Sequence, residues 1–287
     1  MNKKFAFKNI MLSDINEDTE FFPLMSDEDE KKMGDEKNPE VLPILPLKNT
    51  VLFPGVVIPI TIARDKSIQL IKDADKANNF IGVLSQKDSS IESPSINDFH
   101  SVGTVAQILK MLKMPDGNIT AVIQGRKRFE LKEIIQENPY FKGRVDEIVE
   151  TKPISSKEFD ASISSIKDLA LRIIEESPSI PSEASIAIKN IKSSSFVINF
   201  VSSNMNISVA EKQALLNESD VNKKALRVLE LLTKELQMLE MKNEIQSKVR
   251  TDLDQQQREY FLNQQMKAIQ EELGGTGSAK EIDDMKI

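Results

Sequence analysis

A chain of 287 residues with 39% hydrophobic and 29% charged residues is long enough for two domains, each able to bury a core. Its formal net charge of −7 argues against non-specific binding to nucleic acid or anionic lipid. The lack of cysteine excludes disulfides and thiolate metal sites, and a single histidine, His100, excludes most zinc chemistry.

No apolar run approaches the length of a membrane span, and the N-terminus lacks the apolar core of a signal peptide, so a cytoplasmic protein is expected. Residues 1–40 read as an acidic flexible tail, with Asp27, Glu28, Asp29 and Glu30 in one run and no sustained period. Phe21-Phe22-Pro23-Leu24 either meets a partner or only interrupts a solubilising segment.

Residues 41–150 change to short β-type runs between turn signals. Val41 to Leu47 is apolar but holds Pro43 and Pro46, which cannot donate to a central ladder, so an edge strand is expected. Phe53-Pro54-Gly55 turns the chain into Val56 to Ile60. A short helix is expected over Asp65 to Asp75, with Ile68 and Ile71 apolar, and a buried strand over Phe80 to Leu84. Val102 to Leu112 and Ile119 to Gln124 flank Pro115-Asp116-Gly117-Asn118, a hairpin turn. Phe141, Gly143 and Val145 alternate with Lys142, Arg144 and Asp146, giving a strand with one wet face. The fold class is α+β, beginning with a small, mostly antiparallel sheet or partly open barrel.

Residues 151–220 switch to helical spacing and read as a helical subdomain. Phe159, Ile163, Ile166, Ala170 and Ile173 form one stripe, stopped at Ser177-Pro178. A second helix starts near Ser182 with Ala184, Ile188 and Ile191, and a third holds Phe196, Val197, Phe200 and Val201. Ser208-Val209-Ala210-Glu211 is a capping box, and Leu215-Leu216 close its helix. Asp220 caps the next helix. That helix, residues 221–273, contains no glycine or proline and would span about 80 Å. Its apolar residues Ala225, Leu229, Leu232, Leu236 and Leu239 alternate steps of four and three. The pattern loosens through Ile245, Val249 and Leu253 and resumes at Leu262. Such a rod either pairs with something or holds two things apart.

Residues 274–287 read as a linker. Gly274-Gly275-Thr276-Gly277-Ser278-Ala279-Lys280 is not a phosphate loop, because Ala279 and Glu281 stand where Gly and Ser or Thr are needed. His100 reads as structural or surface, and Arg126-Lys127-Arg128 as a solvated hairpin end. Ser155-Ser156 and Ser193-Ser194-Ser195 read as helix caps. From the residues alone the chain looks non-catalytic.

Several blocks in order resemble the N-terminal region of the ATP-dependent Lon protease family. They are Leu42-Pro43-Ile44-Leu45-Pro46-Leu47, Phe53-Pro54-Gly55, Val57-Ile58-Pro59-Ile60, Val102-Gly103-Thr104-Val105-Ala106 and Leu112-Lys113-Met114-Pro115-Asp116-Gly117. On the long helix, Gln257-Arg258-Glu259-Tyr260-Phe261-Leu262 and Gln265 to Gly274 are similar to the segment before the family's ATPase module. The resemblance implies a PUA-like β domain, a helical subdomain and a coiled-coil-like helix behind them. It implies a parent that is a cytoplasmic homohexamer and an ATP-dependent serine endopeptidase, using ATP and Mg and acting on unfolded or damaged proteins. The ATPase motifs and the Ser-Lys dyad follow this region in the family and are absent before Ile287. The expected role is therefore substrate recognition and assembly, with no catalytic, cofactor-binding or metal residues within this sequence.

A selector of unfolded chains needs exposed, adaptable apolar surface, which methionines supply. Leu236, Met238, Leu239 and Met241 spread apolar character around more than one helix face. They either contact substrate or a neighbouring subunit, or pack on the helical subdomain. Two other functions stay open: a non-enzymatic coiled-coil scaffold with a β module, and an RNA-binding PUA-like module that the acidic balance argues against.

Overall fold

Residues with turn formers between short apolar runs fold as strands, and the computed structural model describes them within residues 39–77, 80–113, 119–151, 156–178, 180–181 and 183–274. Apart from Pro39, Glu40 and Gly274, the acidic tail and the linker lie outside the described residues, as does the turn at Pro115–Asn118. The strands are β1 (Val41–Leu47), β2 (Val57–Ile62), β3 (Phe80–Ser85), β4 (Val102–Lys113), β5 (Ile119–Gln136) and β6 (Lys142–Glu147), with helix α1 (Asp65–Lys76) between β2 and β3. Their order is β2-β5-β4-β3-β1-β6, and β6 pairs again with β5. Five strands therefore close into a ring. The 18 residues of β5 make this work, because its first part pairs with β2 and its last part with β6. Apart from the parallel pair of β1 and β3, the neighbours are antiparallel. Leu42, Ile44, Leu84, Phe99, Val105, Phe129 and Val145 make one buried cluster of this unit.

The edge expected for β1 is corrected by the pairing: the strand lies between β3 and β6. Its prolines fit because of where they fall. Ile44 N–H donates to Phe141 O on the β6 side, and Leu47 O accepts from Gln86 N–H on the β3 side. Even-numbered residues thus turn their backbone groups to β6 and odd-numbered ones to β3. Pro43 faces β3 before that ladder begins at Ile44, and Pro46 faces β6 after that ladder has ended at Pro43. Neither missing N–H meets a waiting acceptor.

The Phe53-Pro54-Gly55 turn lies flat on β5. Gly55 adopts φ 80°, its N–H donates to Gly125 O at 2.9 Å, and Gly125 N–H donates to Val56 O at 2.9 Å. A Cβ on Gly125 would stand 2.2 Å from Phe53 O. Gly125→Ala is therefore expected to lower stability by about 1–3 kcal/mol or more. The check is a lower urea midpoint at unchanged slope.

The helical part follows the predicted spacing closely. Helices α2 (Lys157–Glu176), α3 (Glu183–Asn190), α4 (Ser194–Asn204), α5 (Val209–Asn217) and α6 (Val221–Gly274) succeed one another. Phe159, Ile163, Ile166, Ala170 and Ile173 are all buried on α2, as are Phe196, Val197, Phe200 and Val201 on α4. The caps are made as expected: Ser156 accepts from Phe159 N–H, Ser193 from Phe196 N–H, and Ser208 and Glu211 form the capping box. Asp220 Oδ1 accepts from the N–H groups of Asn222 and Lys223. The C-terminal ends are satisfied from farther away. Lys167 Nζ donates to Ile191 O just past α3, Lys212 Nζ to Ser203 O in the last turn of α4, and Arg128 Nη1 to Leu216 O at the end of α5. Each places a cation at the negative end of a helix.

The described residues up to Leu236 form one compact unit, and those from Gln237 onward form a second. Among the described residues, no helix is long and apolar enough to cross a membrane.

Candidate functional site

Two features set α6 apart: how its first turns are anchored in the first unit, and what its residues present in the second. Arg128 on β5 is 1% exposed, which corrects the reading of Arg126-Lys127-Arg128 as a solvated hairpin end. The segment lies inside β5, and only its neighbours on the strand could reach water. Arg128 Nη1 donates to Leu216 O at 2.6 Å and Glu218 O at 3.0 Å, and its Nε lies 3.2 Å from Glu150 Oε1. The same Glu150 oxygen accepts from Lys224 Nζ at 2.7 Å, and Lys224 is 2% exposed. Thr151 adds a backbone bond to Ser219 O. The β domain, the α5–α6 connection and the first turn of α6 thus meet at one carboxylate shared by two buried cations. Desolvation pushes both cations below their ordinary pKa values, and the Glu150 charge works against that shift.

On α6 the buried residues of the first unit are Val221, Lys224, Ala225, Val228, Leu231, Leu232 and Leu236. Val228 faces the core where the sequence pattern favoured Leu229, which is half-buried. Of the residues expected to contact substrate or a subunit, the structure separates two kinds. Leu236 is 5% exposed and is occupied by the fold, and Leu239 is half-buried. Met238 and Met241 are 68% and 59% exposed. In the second unit they are followed by exposed Ile245, Val249, Leu253, Tyr260, Phe261, Leu262, Met266 and Ile269. These side chains leave an extended run of apolar surface in solvent. The helix is supported there by ion pairs such as Lys248 with Glu244 at 2.7 Å, each worth only a few tenths of a kcal/mol, or about 0.2–0.5.

The profile of the ATP-dependent protease La (LON) substrate-binding domain matches residues 41–234, from the start of β1 into α6. The chain belongs to the Lon substrate-binding domain family. It is 55% identical over 285 residues to a Lon protease of Flavobacterium johnsoniae, covering 99% of this chain and 35% of that protein. It is 46% identical over 271 residues to a Lon protease of Cytophaga hutchinsonii, covering 94% of this chain and 33% of that one. The chain thus spans about a third of the length of these curated relatives. Among solved structures it is similar to the N-terminal domain of a Mycobacterium avium complex Lon protease, with a TM-score of 0.56 at 20% identity, covering 67% of this chain and 98% of that one. That likeness supports the α+β architecture.

His100 is half-buried, its backbone N–H bonded to Ser85 O, and desolvation, then the Lys87 charge, lowers its pKa. Ser156, Ser193 and Ser208 are engaged as caps. The connection from β2 into α1 is not a phosphate cradle: it passes through Ala63 and Arg64 without glycine, and Arg64 donates to Gln86 Oε1. No group of three or more acidic or histidine side chains among the described residues is placed to hold a metal ion. The buried cations Arg128 and Lys224 are the residues sequence reasoning missed. Only Arg128 stood out in the sequence, as part of a basic run, and nothing near it in the chain named its partners.

Proposed function

We propose that this chain is the substrate-recognition and assembly region of an ATP-dependent serine protease of the Lon type. The whole protein would act as a cytoplasmic homohexamer that degrades misfolded and regulatory proteins, with ATP and Mg serving a module outside the residues described. The observation that carries the reading is the exposure of Met238, Met241 and the apolar residues after them on α6. Unfolded chains share little beyond exposed hydrophobes, and flexible thioethers adapt to many of them without a shaped pocket. Within the first unit, Glu150 holds the start of α6 to the β domain.

The direct test is equilibrium binding of this chain to a fluorescent, chemically denatured casein without nucleotide. Saturable binding is expected, with no casein cleavage and no ATP hydrolysis by this chain. Self-association with no affinity for denatured casein would favour a scaffold instead. Salt-dependent RNA binding by residues 41–150 would favour an RNA module, against which stand the net charge of −7 and the burial of Arg128.

A further inference from the structure

We propose that protonation of Glu235 sets how firmly the last packed turn of α6, Leu231 to Leu236, is held against α2, α3 and α4, so that the turn loosens as the carboxyl ionises. Glu235 Oε1 accepts from the Asn206 backbone N–H at 3.1 Å, while Oε2 is sealed from solvent with no hydrogen-bond partner. The carboxyl lines a small cleft with Ala170, Ile173, Ile188, Phe200, Met205 and Leu232. A carboxylate with one bare oxygen against apolar walls is a poor place for a charge. The cleft also leaves its lining short of contacts, so opening it forfeits less than opening a filled core would.

The groups facing the carboxyl are few. From α2 and α3 come the aliphatic side chains of Ala170, Ile173 and Ile188, from α4 Phe200, Val201 and the neutral amide of Asn204, and from the residue just after α4 the side chain of Met205. From α5, Lys212 acts on it by charge, but its ammonium donates to Ser203 O at 2.6 Å. On α6 itself, Lys234 is paired with Glu230 at 2.6 Å. Desolvation pushes the Glu235 pKa up, and the Asn206 N–H and the Lys212 charge offset part of that. The docked turn therefore binds a proton more tightly than the released turn. Docking is strongest below the ordinary glutamate pKa, weakens as pH rises from there through the raised value, and is constant above it.

Hydrogen exchange of the backbone amides of Leu231 to Leu236, followed by NMR in the whole chain and corrected for the intrinsic rate, reads the docking. In the native sequence, protection should fall with rising pH, about tenfold for each unit by which the pKa is raised, and then level off. Glu235→Gln should hold the low-pH protection at every pH. A flat native profile, or lower protection in Glu235→Gln than in the native chain at neutral pH, overturns the proposal. Should the variant not fold, direct carbon NMR titration of the native Glu235 carboxyl decides. A midpoint above the ordinary glutamate value supports it, and one at or below that value overturns it.

Discussion

Replacing Arg128 by methionine should lower the stability of the chain by about 3–5 kcal/mol, the usual effect of removing one member of a buried, hydrogen-bonded charge cluster. The volume is nearly kept, so the loss comes from polarity. Leu216 O and Glu218 O lose their guanidinium donor, and each buried carbonyl left bare costs about 1–3 kcal/mol. Arg128→Lys should recover only part of this, because an ammonium lacks the planar fork that reaches two carbonyls and Glu150 together. Glu150→Gln tests the other side of the cluster by leaving Arg128 and Lys224 adjacent without their shared carboxylate, with only the charge of Glu218 acting on both. The measurement is urea unfolding followed by circular dichroism. A loss below about 1 kcal/mol for Arg128→Met would mean the contacts contribute nothing beyond an ordinary surface residue.

The double substitution Met238→Glu with Met241→Glu should weaken binding of denatured casein at least tenfold while leaving the fold intact. Burying a methionine contributes about 1.5–3 kcal/mol, and about 1.4 kcal/mol is a factor of ten in affinity. Both side chains are mostly exposed, so unfolding should shift by no more than about 0.5 kcal/mol. Glutamate is a good helix former, and position 238 precedes Lys242 by four residues, the favourable order for an ion pair. Leu236→Glu serves as the contrast: being buried, it should damage the fold itself. Unchanged casein affinity in the double variant would remove these methionines from the binding surface.

Local signals in the sequence carried much of the fold. The periods of α2 and α4, the serine caps and the wet face of β6 depend on residues a few positions apart, and the structure follows them. What was not legible depends on distance along the chain. Arg128 is judged by its neighbours Arg126 and Lys127, yet its partners are Glu150 and the carbonyls of Leu216 and Glu218. Leu229 outranks Val228 on hydrophobic spacing, but Val221 and Leu231 set the buried face with Lys224, whose charge hid it from an apolar count. Of the four residues Leu236, Met238, Leu239 and Met241, the sequence left contact and packing both open, and the burial of Leu236 beside exposed Met238 and Met241 is decided by the other helices of the first unit.

The placement of Pro43 and Pro46 in β1 has a consequence for how the ring assembles. Sliding β1 by one residue in either direction would turn Pro46 toward β3 and Pro43 toward β6, each inside a ladder that needs an N–H there. Sliding by two would bring Pro46 to the position from which Ile44 serves Phe141 O, or Pro43 into the β3 ladder. Each misalignment forfeits at least one hydrogen bond and leaves an acceptor bare, at about 1–3 kcal/mol. The prolines act as a key cut for a single alignment: the strand that closes the ring can be wrong only at a penalty, and the barrel proofreads its own register while it forms.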